Sequence, residues 1–119
     1  MKSIKFILVG LAISMASSLA AQDLQPNFEK QGDLIKGTYY YEDGSIRQEG
    51  TYKDGKLHGE WVSYDQNGKK NAVAQYQEGV KMGKWFFWSA DALTEVDYNL
   101  NVITEVSEYK RKGTLVTRH

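Results

Sequence analysis

Apolar and polar residues alternate over short runs along most of the chain, and turn-forming pairs separate the runs. The segment 50–68, GTYKDGKLHGEWVSYDQNG, has Asp54-Gly55 and Asn67-Gly68 on either side of a strand-forming stretch. Asp-Gly and Asn-Gly pairs tolerate the positive φ angles of tight hairpin turns. Between Gly32 and Gly113, apolar residues at helical spacing do not extend over a useful length. The pattern predicts an all-β domain of successive antiparallel hairpins.

Glycines recur at regular intervals, which indicates an internal repeat. One set is spaced by 23 and 24 residues, a second by 22 and 24, and a third, ending in alanine, by 24 and 24. An aromatic residue follows each glycine of the second set by two positions. The sets are Gly32, Gly55 and Gly79; Gly37, Gly59 and Gly83, with the aromatic residues Tyr39, Trp61 and Trp85; and Gly44, Gly68 and Ala92. Three columns in register predict three similar units.

Each unit is interpreted as a short link between two glycines, an aromatic-rich first strand, a turn and a second strand. The first strands are predicted at Thr38–Tyr41, Glu60–Tyr64 and Lys84–Ser89, and the second strands at Ser45–Lys53, Lys69–Gln77 and Leu93–Tyr98. A single hairpin is barely stable in water, so the units are expected to stack side by side in one elongated, twisted sheet with a shared buried face. The three units occupy 32–98, and 22–31 is a linker or a loose first strand.

Residues 99–119 are expected to add one or two strands, which cap the sheet, and a tail. Asn99–Asn101 is predicted to turn the chain, Val102–Tyr109 alternates as a strand, and a second turn leads to a short strand at Thr114–Thr117. The basic cluster Lys110–Lys112 has two interpretations. It protects an exposed sheet edge from pairing with another molecule, or it binds anionic lipid or nucleic acid.

Residues 1–21 have the pattern of a secretory signal peptide. Lys2 and Lys5 precede the apolar run Phe6–Ile13, and small residues end in Ala20-Ala21. The run is shorter than the ~20 residues that cross a bilayer, which argues against a membrane anchor. We expect cleavage after Ala20 or Ala21 and a periplasmic or extracellular protein without an integral membrane span.

Charge and cysteine content narrow the possible classes of protein. Loss of Lys2 and Lys5 leaves 13 basic residues against 15 acidic ones. This near-neutral balance argues against nucleic-acid binding, which favours a basic excess. The chain has no cysteine, so a disulfide framework and a lipidated cysteine are excluded. Order must come from the hydrogen-bonded sheet and from the burial of aromatic side chains.

The segment Tyr52–Trp61, YKDGKLHGEW, resembles the core of a MORN repeat (membrane occupation and recognition nexus), in which an aromatic residue and glycine precede His-Gly and a second aromatic residue. Gly79–Trp85 is similar, with Met82 in the histidine position, and Gly32–Tyr39 matches with an extra residue between its glycines. The resemblance implies structural roles for the repeat positions Gly37, Tyr39, Gly55, His58, Gly59, Trp61, Gly79, Gly83 and Trp85.

The resemblance extends over 32–98 and implies a fold rather than an activity, because the family supplies no catalytic residue or cofactor. Bacterial variants of the family are often labelled as antitoxin components of toxin–antitoxin systems. A signal peptide is at odds with that role, since an antitoxin meets its toxin in the cytoplasm. The lipid binding proposed for the family gains no support from a near-neutral chain.

Catalytic, metal and cofactor sites are not predicted. The two histidines are His58 and the terminal His119, and His58 is interpreted as packing near Trp61 and bonding a turn. An enzyme centred on His58 and Glu60 is a remote alternative. Metal sites need several converging His, Cys or carboxylate ligands, and the spacing does not supply them. The glycines are spread singly at turn intervals and do not form a phosphate-binding loop.

The remaining candidate for function is an aromatic surface. In Trp85–Trp88, strand alternation places Trp85 and Phe87 on one face and Phe86 and Trp88 on the other. Trp85 belongs to the column of Tyr39 and Trp61, so its face is expected to be the shared core. Phe86 and Trp88 are then either covered by the C-terminal segment or exposed as a partner site. The candidate surface residues are Tyr40, Tyr64, Phe86 and Trp88.

These features favour an exported, non-enzymatic repeat module that binds another protein or an envelope component through its aromatic surface. A carbohydrate- or peptidoglycan-binding module is the alternative from a different class, because tryptophan side chains suit sugar rings. The antitoxin-like role is a third hypothesis, and it comes from the resemblance alone.

Overall fold

Ten β-strands form one antiparallel sheet in the computed structural model, which describes residues 24–110 and, for its last strand, the backbone of 115–118. The strands are β1 (Asn27–Gln31), β2 (Leu34–Tyr40), β3 (Ile46–Lys53), β4 (Lys56–Tyr64), β5 (Lys70–Gln77), β6 (Val80–Lys81), β7 (Gly83–Trp88), β8 (Ala92–Asn99), β9 (Val102–Lys110) and β10 (Leu115–Arg118). The prediction of an all-β domain built from antiparallel strands is confirmed, and these residues contain no helix.

Strand order in the sheet follows strand order in the chain. The path runs from β1 to β10, except that the two-residue β6 pairs only with β5, so β7 is the next full neighbour of β5. Substantial contacts among the described strands are confined to such neighbours. The sheet is therefore open and does not fold back onto itself.

Strand positions differ from the prediction at the segments between the paired glycines. Residues 34–37 and 56–59, predicted as links, belong to β2 and β4. Gly59 has a φ of +81° and lies in a bulge where three residues of β4 face Gly50 of β3. A bulge preserves pairing on both sides of it. For this reason the strand continues through a glycine that was expected to precede it.

Three hairpins turn through two residues that both have positive φ. These pairs are Asp54-Gly55 (50° and 79°), Glu78-Gly79 (47° and 88°) and Leu100-Asn101 (50° and 70°). Positive φ at both positions matches the right-handed twist of the flanking strands. The predicted turns at Asp54-Gly55 and within Asn99–Asn101 are confirmed.

The hairpins that turn at the opposite ends of the strands use a longer turn. Tyr41 N donates to Ser45 O (2.8 Å) in the turn between β2 and β3, and Asp65 N donates to Lys69 O (2.8 Å) in the turn between β4 and β5. The third turn is one residue shorter, with Ser89 N donating to Ala92 O (2.9 Å). The first two hairpins have a register shift next to the turn, and the third does not.

Alternation divides the side chains between two faces of the sheet, because direct partners and residues two apart share a face. Face A carries Phe28, Tyr39, Tyr52, Trp61, Tyr76, Trp85, Phe87 and Tyr98. Face B carries Tyr40, Val62, Tyr64, Val73, Phe86 and Trp88. The buried apolar side chains are Trp61, Trp85 and Val96 on face A and Val62 and Val73 on face B. All described strands belong to this one sheet, so they provide no second layer for either face.

The predictions for the two ends of the chain fall partly on described residues and partly outside them. Asn27–Gln31, within the segment interpreted as a linker or a loose first strand, forms the edge strand β1. The predicted signal peptide, residues 1–21, and the basic residues Arg111 and Lys112 lie outside the described residues. Nowhere in the described chain is there a helix long and apolar enough to cross a membrane.

Candidate binding site on the sheet surface

Phe86 and Trp88 form a ring pair on face B. Their ring centroids are 6.0 Å apart and the ring planes are inclined by 27°, which is an offset stack. Trp88 is 39% exposed and Phe86 is half-buried. Val73, directly opposite Phe86 on β5, supports the pair from the side. The arrangement presents one tryptophan ring to solvent on a rigid strand.

The C-terminal strands do not cover this pair. β9 pairs with β8, and β10 pairs with β9, so both lie in line with the rest of the sheet. The interpretation in which the C-terminal segment folds over Phe86 and Trp88 is wrong for these strands. Backbone pairing along the β8 edge extends the sheet and leaves its face open.

Tyr64 and Tyr40 share face B with the ring pair but lie apart from it. Tyr64, on β4, is separated from β7 by β5. Its hydroxyl donates to Glu49 Oε2 (2.7 Å), and its backbone oxygen accepts a hydrogen bond from the Tyr41 hydroxyl (2.7 Å). The structure therefore holds Tyr64 in a local network and does not join the four candidate residues into one ring cluster.

A cleft of about 410 Å³ borders Trp88 at the turn between β7 and β8. Leu93, opposite Trp88, and Tyr109, opposite Leu93, provide its apolar walls. Asp91, Glu95 and Lys110 line it as well. Sequence reasoning missed these residues. Alternation alone places Tyr109 on one of two faces, and only the register between β8 and β9 brings it beside Leu93.

Tyr40 lines a second cleft at the opposite end of the sheet. This cleft, about 690 Å³, lies between the chain before β1 and the turn that follows β2. Its lining includes Leu24, Tyr39 and Arg47. The predicted surface residues are thus distributed over separate depressions rather than one.

Lys84 is the principal charge beside the ring pair on face B. Its ammonium lies 2.8 Å from Glu95 Oε2 and 3.0 Å from Asp97 Oδ1. The hydrogen bond to Glu95, followed by that to Asp97, raises the pKa of the Lys84 ammonium. Two carboxylates therefore share one cation, and the edge of the ring pair carries a slight negative excess.

Tyr64 is expected to make the stability of the sheet depend on pH in the alkaline range. Its hydrogen bond to the Glu49 carboxylate, with partial burial, raises the pKa of Tyr64 to about 12. A raised pKa means that the neutral phenol is favoured in the folded state, so its contribution is complete below the ordinary tyrosine pKa of about 10 and is lost as pH rises towards 12. We expect Tyr64→Phe to flatten the fall in unfolding free energy over this interval, measured by urea denaturation at a series of pH values.

Part of the pH dependence of the unfolding free energy is expected to remain in Tyr64→Phe, because Tyr52 contributes to it. Burial and its hydrogen bond to Tyr39 raise the pKa of Tyr52 to about 12 as well. Glu49→Gln is the matched control, because it retains an acceptor for Tyr64 and removes the charge. An unchanged pH profile in Tyr64→Phe would show that the hydroxyl of Tyr64 is not coupled to folding.

Trp61 and Trp85, at two of the predicted repeat positions, make equivalent hydrogen bonds. Trp61 Nε1 donates to Thr51 O (2.9 Å), and Trp85 Nε1 donates to Gln75 O (3.0 Å), so donor and acceptor shift along the chain by the same interval. The two indoles therefore fasten the same part of consecutive hairpins in the same way.

His58 bonds a turn, and Met82 occupies the same position in the next hairpin. His58 Nδ1 accepts a hydrogen bond from Glu78 N (3.1 Å), and Met82 Sδ accepts one from Leu100 N (3.2 Å). Both donors are the first residue of a two-residue turn. His58 thus fixes the neighbouring turn, and none of the described hydrogen bonds of its ring involves a carboxylate or a nucleophile.

The acidic residues in two of the turns bond the backbone of their own turn. Asp43 Oδ1 accepts hydrogen bonds from Ser45 N and Oγ, and Asp65 Oδ1 accepts from Asn67 N and Lys69 N. These carboxylates serve their own turns. The described part of the chain contains no group of three or more His, Asp or Glu side chains that could hold a metal ion.

Comparison with protein-family models gives no match for this chain, and comparison with curated proteins gives no significant match. The resemblance to MORN repeats therefore rests on the residues of the sequence themselves.

Proposed function

We propose that the protein is an exported, non-enzymatic module that binds another protein or an envelope component through Phe86 and Trp88 on face B. The exposed, stacked ring pair carries this proposal. An open apolar surface of this kind is typical of interaction sites, and tryptophan is among the residues that dominate binding energy at interfaces.

The position of the pair supports recognition of a macromolecule. Phe86 and Trp88 lie on a paired strand between β5 and β8, so little conformational entropy is lost when a partner covers them. The cleft lined by Leu93 and Tyr109 continues the apolar surface and offers a depression for a partner side chain. Lys84, Glu95 and Asp97 form a polar margin beside it.

Replacement of both rings is expected to abolish partner capture. Phe86→Ser with Trp88→Ser removes the apolar contact area, and we expect at least a ~30-fold loss of affinity, since single anchors of this kind contribute ~2 kcal/mol or more. The measurement is affinity capture from cell-envelope extract with the wild-type chain and the double variant, and mass spectrometry of the bound proteins.

Phe87→Ser is the matched control for this experiment. Phe87 is 38% exposed, nearly the same as Trp88, but belongs to face A. We expect the control to capture the same proteins as the wild type. Equal recovery of every protein by the wild type and by Phe86→Ser/Trp88→Ser would refute binding through face B.

We also propose that residues 32–98 form three MORN-like units. The shared hydrogen-bond positions of Trp61 and Trp85, and of His58 and Met82, support two such units. The first unit has Tyr39 in the corresponding place, and the centroids of the Tyr39 and Trp61 rings are 6.4 Å apart. The signal-peptide pattern of residues 1–21 supports export, and the mature N-terminus, determined by mass spectrometry, tests it.

A carbohydrate- or peptidoglycan-binding module is the second candidate function. The cleft beside Trp88 favours it, because an exposed indole face there adjoins Ser89, Asp91 and Glu95, whose oxygens can bond sugar hydroxyls. Titration with soluble peptidoglycan fragments should then change tryptophan fluorescence in the wild type but not in Trp88→Ala. Fluorescence that stays unchanged at saturating glycan would exclude it.

A further inference from the structure

Face A is the more apolar side of the sheet, and it is also open. The described strands supply no second layer over its rings. Phe28 is 55% exposed, Ile103 is 53% exposed, and Ile35 and Phe87 are exposed as well. A sheet normally buries one face against another element. An uncovered face with large exposed apolar side chains indicates an interaction surface.

We infer that face A is the interface of a homodimer, in which two copies of the sheet pack face to face about a two-fold axis that runs along β5. This inference concerns the opposite face from the proposed partner site and does not depend on it. Phe86 and Trp88 would remain on the outer surface of the dimer.

The register of the strands makes face A self-complementary about β5. One row crosses the sheet through direct partners: Tyr39, Gln48, Ser63, Ala72, Phe87, Thr94 and Glu108. Rotation about β5 brings β4 over β7, β3 over β8 and β2 over β9. In this row Phe87 then meets Ser63 of the second copy, so a large side chain faces a small one.

The neighbouring rows place apolar residues against apolar residues under the same rotation. The row of Trp61 on β4 lies over the row of Trp85 of the second copy on β7, with Ala74 at the axis, and both indoles are already buried within one copy. One row further, on β3 and β8, Tyr52 meets Tyr98 of the second copy. The Lys81 ammonium lies beside this row, 5.2 Å from the ring centroids of Trp85 and Tyr98. At the margins Ile35 on β2 meets Ile103 on β9. Two exposed apolar positions of the face are therefore covered by each other.

Charge complementarity at the margins of face A supports this arrangement. Among the described residues, Arg47 and Glu108 have no ion pair, and both lie in or beside the row of Tyr39. The Arg47 guanidinium lies over the Tyr39 ring, 6.0 Å from its centroid. Rotation about β5 places β9 of the second copy over β2, so Glu108 of the second copy arrives over Tyr39. The axis that matches the apolar rows also brings these two charges together, twice per dimer.

The available area is sufficient for a stable dimer. The nine strands on the path, at about 4.8 Å spacing, give a sheet about 40 Å wide. The strands between the two edge strands have six to nine residues each, which gives about 20–30 Å of length. Stable interfaces need about 800 Å² per partner. Two sheets packed in this way form a sandwich with a core about 10 Å thick.

The test is sedimentation equilibrium of the protein purified after expression of the full chain. We expect twice the chain mass for the wild type at micromolar concentration. Arg47→Glu and Glu108→Arg should each raise the Kd roughly tenfold, because each reverses one member of two symmetric pairs. Arg47→Glu with Glu108→Arg should restore the wild-type Kd, which a merely structural effect of either change would not do.

Two further variants distinguish face A from face B as the interface of the dimer. Phe87→Lys places a charge in the centre of face A and is expected to give monomers with an unchanged circular dichroism spectrum. Phe86→Ser with Trp88→Ser, on face B, is expected to remain dimeric. A monomeric wild type at the highest soluble concentration would overturn the inference. Failure of the double charge reversal to restore the dimer would overturn the proposed axis.

Discussion

Alanine at Gly50 is expected to destabilise the sheet by about 3 kcal/mol, the upper range for overpacking a filled site. A Cβ at Gly50 would overlap the Trp61 ring, which lies directly on that backbone. Trp61 cannot easily move away, because its Nε1 is bonded to Thr51 O and its ring packs on Tyr39 and Tyr52. Urea denaturation followed by circular dichroism measures the loss.

Gly37→Ala is the matched control, since Gly37 is the direct partner of Gly50 on β2. A Cβ there would meet Tyr52 Cε2 at 3.0 Å and Phe28 Cε1 at 3.3 Å. The Phe28 ring is exposed and can yield, so we expect a loss of only about 1 kcal/mol. In Gly50→Ala/Trp61→Ala the clash is absent, and the loss should be smaller than the sum of the single losses. Additive losses would show that the ring does not lie over Gly50.

Trp61→Ala is expected to cost about 3–5 kcal/mol, which is a large part of the stability of a chain of this size. Trp61 is 3% exposed and contacts Tyr39 and Tyr52. Its removal creates a cavity and leaves Thr51 O without the indole donor. Thermal and urea unfolding of the variant measure the loss, and unfolding at room temperature is within the expected range.

Trp88→Ala is the comparison for this variant. It removes the same atoms from a site that is 39% exposed, where the ring contacts Phe86 alone among the described aromatic residues. We expect a loss of about 1–2 kcal/mol, because part of the side chain already faces water and its removal leaves a surface depression rather than an enclosed cavity. Equal losses at Trp61 and Trp88 would contradict the assignment of Trp61 to the core and of Trp88 to the surface.

Turn chemistry made much of the fold predictable from the sequence. Asp54-Gly55 determines its hairpin locally, because both residues accept positive φ at low cost. The alternation of Trp85–Trp88 placed these four rings on the correct faces relative to one another. Leu100 shows the limit of this reasoning. It has a φ of +50° in a turn, and nothing in its own chemistry favours that conformation, so the flanking strands and Asn101 must impose it.

Bulges and long-range register were not predictable. The link assigned to 56–59 was wrong because a glycine at positive φ can interrupt a strand or be absorbed in a bulge, and the partner strand decides between them. The aromatic column gave the position of Trp61 but not its contact with Gly50, which depends on the bulge. The cleft beside Trp88 depends on register between β8 and β9, since Tyr109 belongs to a strand that does not pair with the strand of Trp88.

The consecutive order of the strands has a consequence for folding kinetics. Among the described strands no register partners are further apart in the chain than Ala92 and Lys110, which are the two ends of a single hairpin. Every backbone ladder closes a short loop, so the contact order is low for a β protein and the entropic barrier to each pairing is small. Assembly can begin at any one hairpin and spread to its neighbours, and a chain that is synthesised from the N-terminus can acquire strands one by one.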